Sequence, residues 1–132
     1  MRLIWFGEND GFELRPALEA AGFAVDAQPA PASTTEDVAV TARLAAALRA
    51  AEEACAGERP AAALVAGSGD PALAAALVAV KLDIPTAWLP TARAKEDELI
   101  GRVADLTLDA SGDAEASALA VRELALPRLP EL

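Results

Sequence analysis

The chain has 132 residues, of which 54% are apolar but only 4% aromatic, and its formal net charge is −10. This length suits a single domain, and the composition predicts a core of Ala, Leu, Val and Ile. Because nucleic acids and anionic membrane surfaces attract clustered Lys and Arg, which this sequence lacks, we expect neither as a partner.

The sequence also indicates a compartment. Its single cysteine, Cys55, excludes an internal disulfide and falls at an apolar position of a helical pattern, where a small buried side chain is usual. The apolar run after Met1 is too short for a signal peptide, and no stretch provides the ~20 apolar residues of a membrane span. We therefore expect a cytoplasmic protein.

The first elements along the chain are a strand, a helix and a second strand. Residues 3–6 form a continuous apolar run, typical of a strand covered on both faces, and the polar residues 7–11 interrupt it. A short amphipathic helix is predicted at residues 12–21, and Gly22 ends it. Residues 23–27 form the second predicted strand, which completes a β-α-β opening.

The longest predicted helix comes next. A Pro-rich loop leads to Ser33 and Glu36, whose spacing matches a capping box. The helix then continues to about residue 56. Its predicted apolar face consists of Val40, Leu44, Leu48, Ala51 and Cys55.

The rest of the chain continues the alternation. Asp70 and Pro71 are predicted as the N-cap and first residue of a helix, positions that favour these residue types. That helix is apolar nearly all round, so we expect it to be packed on more than one side. The remaining strands are predicted at residues 62–66, 84–89 and 105–108, and the remaining helices at 71–81, 92–103 and from 111–113 to about 126.

Strand and helix thus alternate five times, which predicts a three-layer, Rossmann-like α/β fold with a five-stranded parallel sheet and helices on both faces. We expect one domain at residues 1–126 and a tail at 127–132. Ligands of such sheets bind outside the carboxyl ends of the strands, where the strand order reverses. The two loops expected there provide the candidate ligand-binding residues Gly7, Glu8, Asn9, Asp10, Gly67, Ser68, Gly69 and Asp70.

The second of these loops has the spacing of a dinucleotide fingerprint. Gly67, Gly69 and Ala72 match the pattern G-x-G-x-x-A between a strand and a helix. However, Pro71 lacks the N–H that a phosphate would need, and Asp70 places a negative charge at the helix N-terminus. We therefore prefer a tight capped turn, or a site for a group other than phosphate.

Three acidic residues are expected at the same edge of the sheet. Glu8, Asp10 and Asp70 suit a divalent cation or acid/base chemistry, and Asp70 is the candidate catalytic residue. We prefer the alternative that residues 9–11 form a polar turn. Nearby, Trp88 lies near the carboxyl end of a predicted strand, where it either packs in the core or lines the ligand edge.

Several chemistries are excluded by absent residues. The sequence has no histidine, so it has neither a Ser-His-Asp nucleophile nor a His-ligated metal. It has no tyrosine to act as a phenolic acid, and it lacks the G-x-x-x-x-G-K-[S/T] loop of ordinary P-loop NTPases. No cofactor is indicated.

One region of the chain resembles a known family. The Gly69-Asp70 turn, the Ala-rich helix after it, the Ile84-Pro85-x-x-Trp88 strand and the Ala104-Asp105-Leu106 strand are similar to the N-terminal half of non-hydrolysing UDP-N-acetylglucosamine 2-epimerases. The resemblance extends over residues 61–108. It implies the family's fold and places Asp70 at one of its acidic functional positions.

The departures from this family concern its catalytic groups. Where the family has His-x-Glu-Ala-Gly, residues 88–92 read Trp-Leu-Pro-Thr-Ala, so Pro90 replaces the catalytic glutamate. The arginine of the family's opening Gly-Thr-Arg-Pro-Glu has no counterpart in residues 7–11, and residues 95–98 offer only a charged helix start. The family's second domain, which holds most UDP-binding groups, has no counterpart either. These departures argue against retained epimerase activity.

The leading hypothesis is a non-catalytic or catalytically reduced epimerase-like domain that binds a protein partner or a small, sugar-nucleotide-like ligand. A partner, or self-association, would replace the missing second domain, and the apolar segments 73–80 and 126–132 are the expected surfaces. The alternative is a small stand-alone enzyme that depends on carboxylates or a divalent metal. A pure scaffold role also stays open.

Overall fold

The computed structural model describes residues 1–7, 13–29, 39–91, 94–109 and 111–126. Strands and helices alternate strictly along the chain, as the sequence predicted. The strands are β1 (Arg2–Phe6), β2 (Ala24–Gln28), β3 (Ala62–Ala66), β4 (Thr86–Leu89) and β5 (Leu106–Thr107). The helices are α1 (Leu14–Ala20), α2 (Val40–Ala54), α3 (Gly69–Lys81), α4 (Asp97–Val103) and α5 (Ala114–Ala125).

All five strands form one parallel sheet in the order β2-β1-β3-β4-β5. This is one of the two common strand orders of doubly wound α/β folds, and the order reverses between β1 and β3. The central strands are buried along almost their whole length, because helices cover both faces. The predicted fold class is therefore confirmed, and the reversal point is located.

Side chains that alternate along the strands face two separate helical layers. On β1, Leu3 and Trp5 face a layer formed by α1 and α5, together with Leu64 of β3. Ile4 and Phe6 face the layer formed by α2, α3 and α4. The core of each layer is mostly aliphatic, as the composition predicted, with two aromatic side chains in each. Among the described residues, no helix is long and apolar enough to cross a membrane.

Helix α3 is the most deeply buried helix, and this overturns one interpretation. It packs against α2, α4 and the strands β3 and β4, so its apolar residues face neighbours on several sides. The expectation of packing on more than one side is confirmed. Residues 73–80 are therefore core rather than a free surface, and the expectation that they dock a partner is wrong. The buried residues are Ala72, Leu73, Ala74, Ala75, Ala76, Val78 and Ala79.

The start of α3 also differs from the prediction. The N-cap is Ser68, and Asp70 lies within the first turn instead of capping it. Gly69, the first residue of α3, has a φ of +81°, a left-handed conformation that glycine adopts without strain, and α3 begins two residues before the predicted start at Pro71.

Helix α4 begins later than predicted. A turn precedes it, in which the carboxylate Oδ2 of Asp97 accepts the backbone N–H of Ala94 at 3.1 Å. The N–H of Asp97 in return donates to the carbonyl of Ala94 at 3.2 Å. This local pairing delays the helix to Asp97, whereas the sequence placed its start at Ala92, outside the described residues.

Two other predictions about helices have mixed outcomes. In α2, Ala51 and Cys55 are buried as expected, but Val40 is 62% exposed because the first turns extend beyond the core. In α5, Asp113 is the N-cap and its carboxylate accepts the N–H of Glu115 at 3.0 Å, as the predicted start implied. The capping box proposed at Ser33 and the tail at 127–132 lie outside the described residues.

Candidate functional site

The carboxyl ends of β1 and β3 lie in direct contact at the point where the strand order reverses. Gly7 follows β1 with a φ of +113°, and a Cβ placed on it would lie 2.0 Å from the carbonyl oxygen of Ala66. Its N–H donates to the carbonyl of Gln28 at 3.2 Å on the other side. Only glycine fits between these two strands, so the loops that follow β1 and β3 begin side by side.

The loop after β3 is held in place from β4. The N–H of Gly67 donates to the carbonyl of Leu89 at 3.0 Å, and its carbonyl accepts the indole N–H of Trp88 at 2.7 Å. Both Gly67 and Gly69 have positive φ, at +140° and +81°. The open backbone of this loop therefore rests on a buried aromatic side chain that fixes its position.

Trp88 has a role that the sequence did not reveal. The residue is 6% exposed and belongs to the core between the sheet and the α2, α3 and α4 layer, as its strand position suggested. Its N–H, however, supports the candidate loop. The sequence carries no signal for this bond, because it depends on the register that pairs Val65 with Trp88 and places the indole beside the end of β3.

Asp70 and Pro71 determine which chemical groups the N-terminus of α3 can bind. Asp70 is exposed in the first turn, where its negative charge interacts favourably with the helix dipole. Pro71, one residue further, has no N–H to offer. Both features disfavour a phosphate directly on this helix N-terminus, as the sequence predicted, and leave a carboxylate that accepts hydrogen bonds from hydroxyl groups.

Of the predicted acidic cluster, Asp70 is the only member within the described part of the chain. Among the described residues, no three His, Cys, Asp or Glu side chains are grouped closely enough to hold a metal ion. Glu8, Asn9 and Asp10 lie outside those residues, so the carboxylate cluster and the metal site at this edge stay predictions.

A further acid stands at the same edge. Asp97 opens α4, the helix that follows β4, so parallel topology places it at the carboxyl end of the sheet. Its Oδ2 accepts the N–H of Ala94, while its Oδ1 is buried and no described residue donates to it. The sequence interpretation had treated this residue only as part of a charged helix start.

The comparisons with known proteins concern the fold. No protein-family model matches the sequence, and no curated protein matches it. Among solved structures, the MnaA protein of S. aureus, solved with UDP, is 15% identical with a TM-score of 0.64 over 90% of this chain and 40% of that one. The UDP-GlcNAc 2-epimerase of Methanocaldococcus jannaschii is 19% identical with a TM-score of 0.60, over 93% and 42%.

A second type of neighbour is similar over most of its own length. The signal receiver domain of a modulated diguanylate cyclase from Desulfovibrio desulfuricans G20 is 19% identical with a TM-score of 0.59, over 94% of this chain and 92% of that one. At such identities only the fold is shared. The chain thus shares an α/β fold with these epimerases and with this receiver domain, and it spans about two fifths of the length of the epimerases.

Proposed function

We propose that this chain is a catalytically reduced, epimerase-like domain that acts by binding, and that its ligand is small and sugar-nucleotide-like. The contact between Gly7 and Ala66 carries the proposal, because it opens two loops side by side at the strand-order reversal. In doubly wound folds this is where ligands bind. The solved neighbours that are UDP-GlcNAc 2-epimerases supply the ligand class to test.

The proposal is for binding rather than catalysis because the position of the family's glutamate is occupied by Pro90. That residue directly follows β4 at the same edge, and its side chain has no ionisable group. The sequence also has no histidine to replace a lost acid or base. Asp70 then serves recognition: as an exposed carboxylate it accepts hydrogen bonds from hydroxyl groups, and a sugar presents several.

The orientation of the ligand follows from charge. A pyrophosphate placed on the N-terminus of α3 would meet the carboxylate of Asp70 and lose the N–H that Pro71 lacks. The sugar therefore faces α3, and the phosphates lie away from the N-terminus of this helix. The sugar contributes binding that the nucleotide alone does not have, so UDP-GlcNAc should bind more tightly than UDP.

Isothermal titration calorimetry with UDP-GlcNAc, UDP and GlcNAc tests this. Gly67→Ala forces a side chain onto the loop at φ +140° and should weaken UDP-GlcNAc binding at least about tenfold. Gly57→Ala is the matched control, since Gly57 has a φ of +93° and open space around it, but follows α2 away from this edge. Its binding should equal that of the wild type.

Asp70→Asn tests the orientation. It should weaken UDP-GlcNAc binding and leave UDP unaffected, because only the sugar contacts this carboxylate. Stronger UDP binding in this variant would instead place the phosphates at α3. A folded wild-type chain that releases no heat with any of the three probes refutes the small-ligand proposal. Heat with Mg²⁺ alone would favour the stand-alone metal-dependent enzyme.

A further inference from the structure

Both backbone polar groups of Gly67 are bound by β4. Its N–H donates to the carbonyl of Leu89 at 3.0 Å. Its carbonyl accepts the indole N–H of Trp88 at 2.7 Å. Because that carbonyl belongs to the peptide group that joins Gly67 to Ser68, the indole fixes the orientation of this peptide group at the start of the candidate loop.

The orientation of this peptide group depends on the indole because the residue before it is glycine. Gly67 has a φ of +140° and no Cβ, so rotation of the following peptide group costs little. A trans peptide group carries its C=O and its N–H on opposite sides. With the carbonyl turned inward to the indole of Trp88, the N–H side faces away from the core, at the carboxyl edge of the sheet.

The indole of Trp88 is itself held in place by packing. It is buried in the same core as Val65 of β3 and Ile100 of α4. On α4, a Cβ placed on Gly101 would lie 3.5 Å from the Trp88 ring, so this helix backs the ring directly. The strand register pairs Trp88 with Val65, two residues before Gly67. The donor therefore has a fixed position, and the peptide group adopts the orientation that the donor sets.

The other tryptophan provides a matched comparison within the same sheet. Trp5 lies on β1, is buried as deeply as the core around it and faces the layer formed by α1 and α5. Among the described residues, none accepts its indole N–H. The burial of an indole in this sheet therefore does not by itself require a partner for its N–H, and the bond from Trp88 to the loop calls for a separate explanation.

We propose that Trp88 is a positioning residue for the ligand loop, an inference that rests on the function proposed above. Its indole keeps the Gly67 carbonyl turned inward, so that this acceptor oxygen does not face the ligand. The N–H side of the peptide group faces the ligand instead and favours a group that accepts hydrogen bonds. The carboxylate of Asp70 accepts hydrogen bonds from the same ligand. A sugar satisfies both, because each of its hydroxyl groups donates and accepts.

Isothermal titration of Trp88→Phe with UDP-GlcNAc and UDP tests the proposal. This variant keeps a buried aromatic ring and removes the indole N–H. Binding of UDP-GlcNAc should weaken about three- to tenfold, the range expected for one lost hydrogen bond, while binding of UDP should equal that of the wild type. Trp5→Phe is the matched control: it removes a buried indole N–H that no described residue accepts, and both affinities should be unchanged.

The two ligands together separate positioning from general support of the fold. If Trp88 only stabilised the core, Trp88→Phe would weaken UDP-GlcNAc and UDP by the same factor, and that result overturns the proposal. Unchanged binding of UDP-GlcNAc overturns it as well. If Trp88→Phe does not fold, benzothienylalanine at position 88 takes its place, because this analogue keeps the size of the indole ring and exchanges the N–H for sulfur. The same affinities are expected.

Backbone amide signals of residues 67–69 test the peptide orientation without a ligand. In Trp88→Phe these signals should show exchange broadening in NMR relaxation experiments, because the peptide group then samples both orientations. The wild type and Trp5→Phe should show none, and sharp signals in Trp88→Phe overturn the proposal. A wild type that binds neither ligand refutes the proposed function, and the amide signals then decide alone whether Trp88 fixes the peptide group.

Discussion

Replacing Gly7 with alanine tests the contact that defines the candidate site. The new Cβ would lie 2.0 Å from the carbonyl oxygen of Ala66, so one of the two central strands must move. The residue must also keep a φ of +113°, which costs an L-amino acid about 1–3 kcal/mol. Relief of the overlap within a packed core adds about 1–3 kcal/mol. The two contributions together give about 2–6 kcal/mol, so the expected loss of unfolding free energy is about 4 kcal/mol, the middle of that range.

The assay is urea unfolding followed by tryptophan fluorescence and circular dichroism. In a thermal melt of a domain of this length, a loss of about 4 kcal/mol lowers the melting temperature by roughly 15 °C. Gly22→Ala is the control, because Gly22 ends α1 with a φ of +104° and nothing lies within 4 Å of its added Cβ. It should cost only the backbone part, about 1–2 kcal/mol. If Gly7→Ala costs no more than Gly22→Ala, the ends of β1 and β3 do not meet as described.

Three further changes have expected outcomes. Asp83 has a φ of +57° after α3, so Asp83→Gly should raise the free energy of unfolding by about 0.5–1 kcal/mol in urea titrations, and an unchanged midpoint would contradict the left-handed cap. Gly101→Ala in α4 places its Cβ 3.5 Å from the Trp88 ring, an ordinary contact, and should also add about 0.5–1 kcal/mol; a loss would indicate tighter packing. The Arg2 hydrogen bond lowers the pKa of Asp26, so the wild type should be more stable than Asp26→Asn above pH about 4 by less than about 1 kcal/mol. That advantage should disappear as pH falls through the lowered pKa, and a pH-independent difference would refute the pairing.

The sheet was predictable because its central strands are short apolar runs between turn residues. Residues 62–66, for example, have no polar position, and the structure buries β3 on both faces with the same bounds. The sequence predicted that α3 is apolar nearly all round, but it did not predict which elements cover this helix. One sequence does not distinguish a helix buried among its own neighbours from a helix that awaits another chain, and here α2 and α4 cover it.

The differences at helix starts come from local hydrogen bonding. Asp70 has the residue type of an N-cap, yet the N-cap is Ser68, Gly69 has a left-handed φ, and Asp70 lies in the first turn of α3. At α4, the pairing of Asp97 with Ala94 replaces the first turns of the predicted helix. The starts of both helices depend on backbone angles. Hydrophobic periodicity, the stronger signal in a sequence, does not report these angles.

The sequence predicted where the candidate site lies in the fold, but it did not predict the contacts that form it. Alternating elements located the carboxyl edge, and the turn residues after β1 and β3 marked two loops on it. Neither the fit of Gly7 against Ala66 nor the bond from Trp88 to Gly67 follows from composition, because each depends on which strands become neighbours. Strand order is decided by long-range packing, and the alternation pattern alone permits more than one order.

The bond between the Trp88 indole and the Gly67 carbonyl gives the protein two distinguishable internal probes. Trp88 lies on the side of α2, α3 and α4, and its N–H is engaged by the candidate loop. Trp5 lies on the side of α1 and α5, and no described residue accepts its N–H. In a ¹⁵N-correlated NMR spectrum the two indole signals should therefore differ. The Trp88 signal should shift when a ligand occupies the carboxyl edge, while the Trp5 signal reports on the layer formed by α1 and α5.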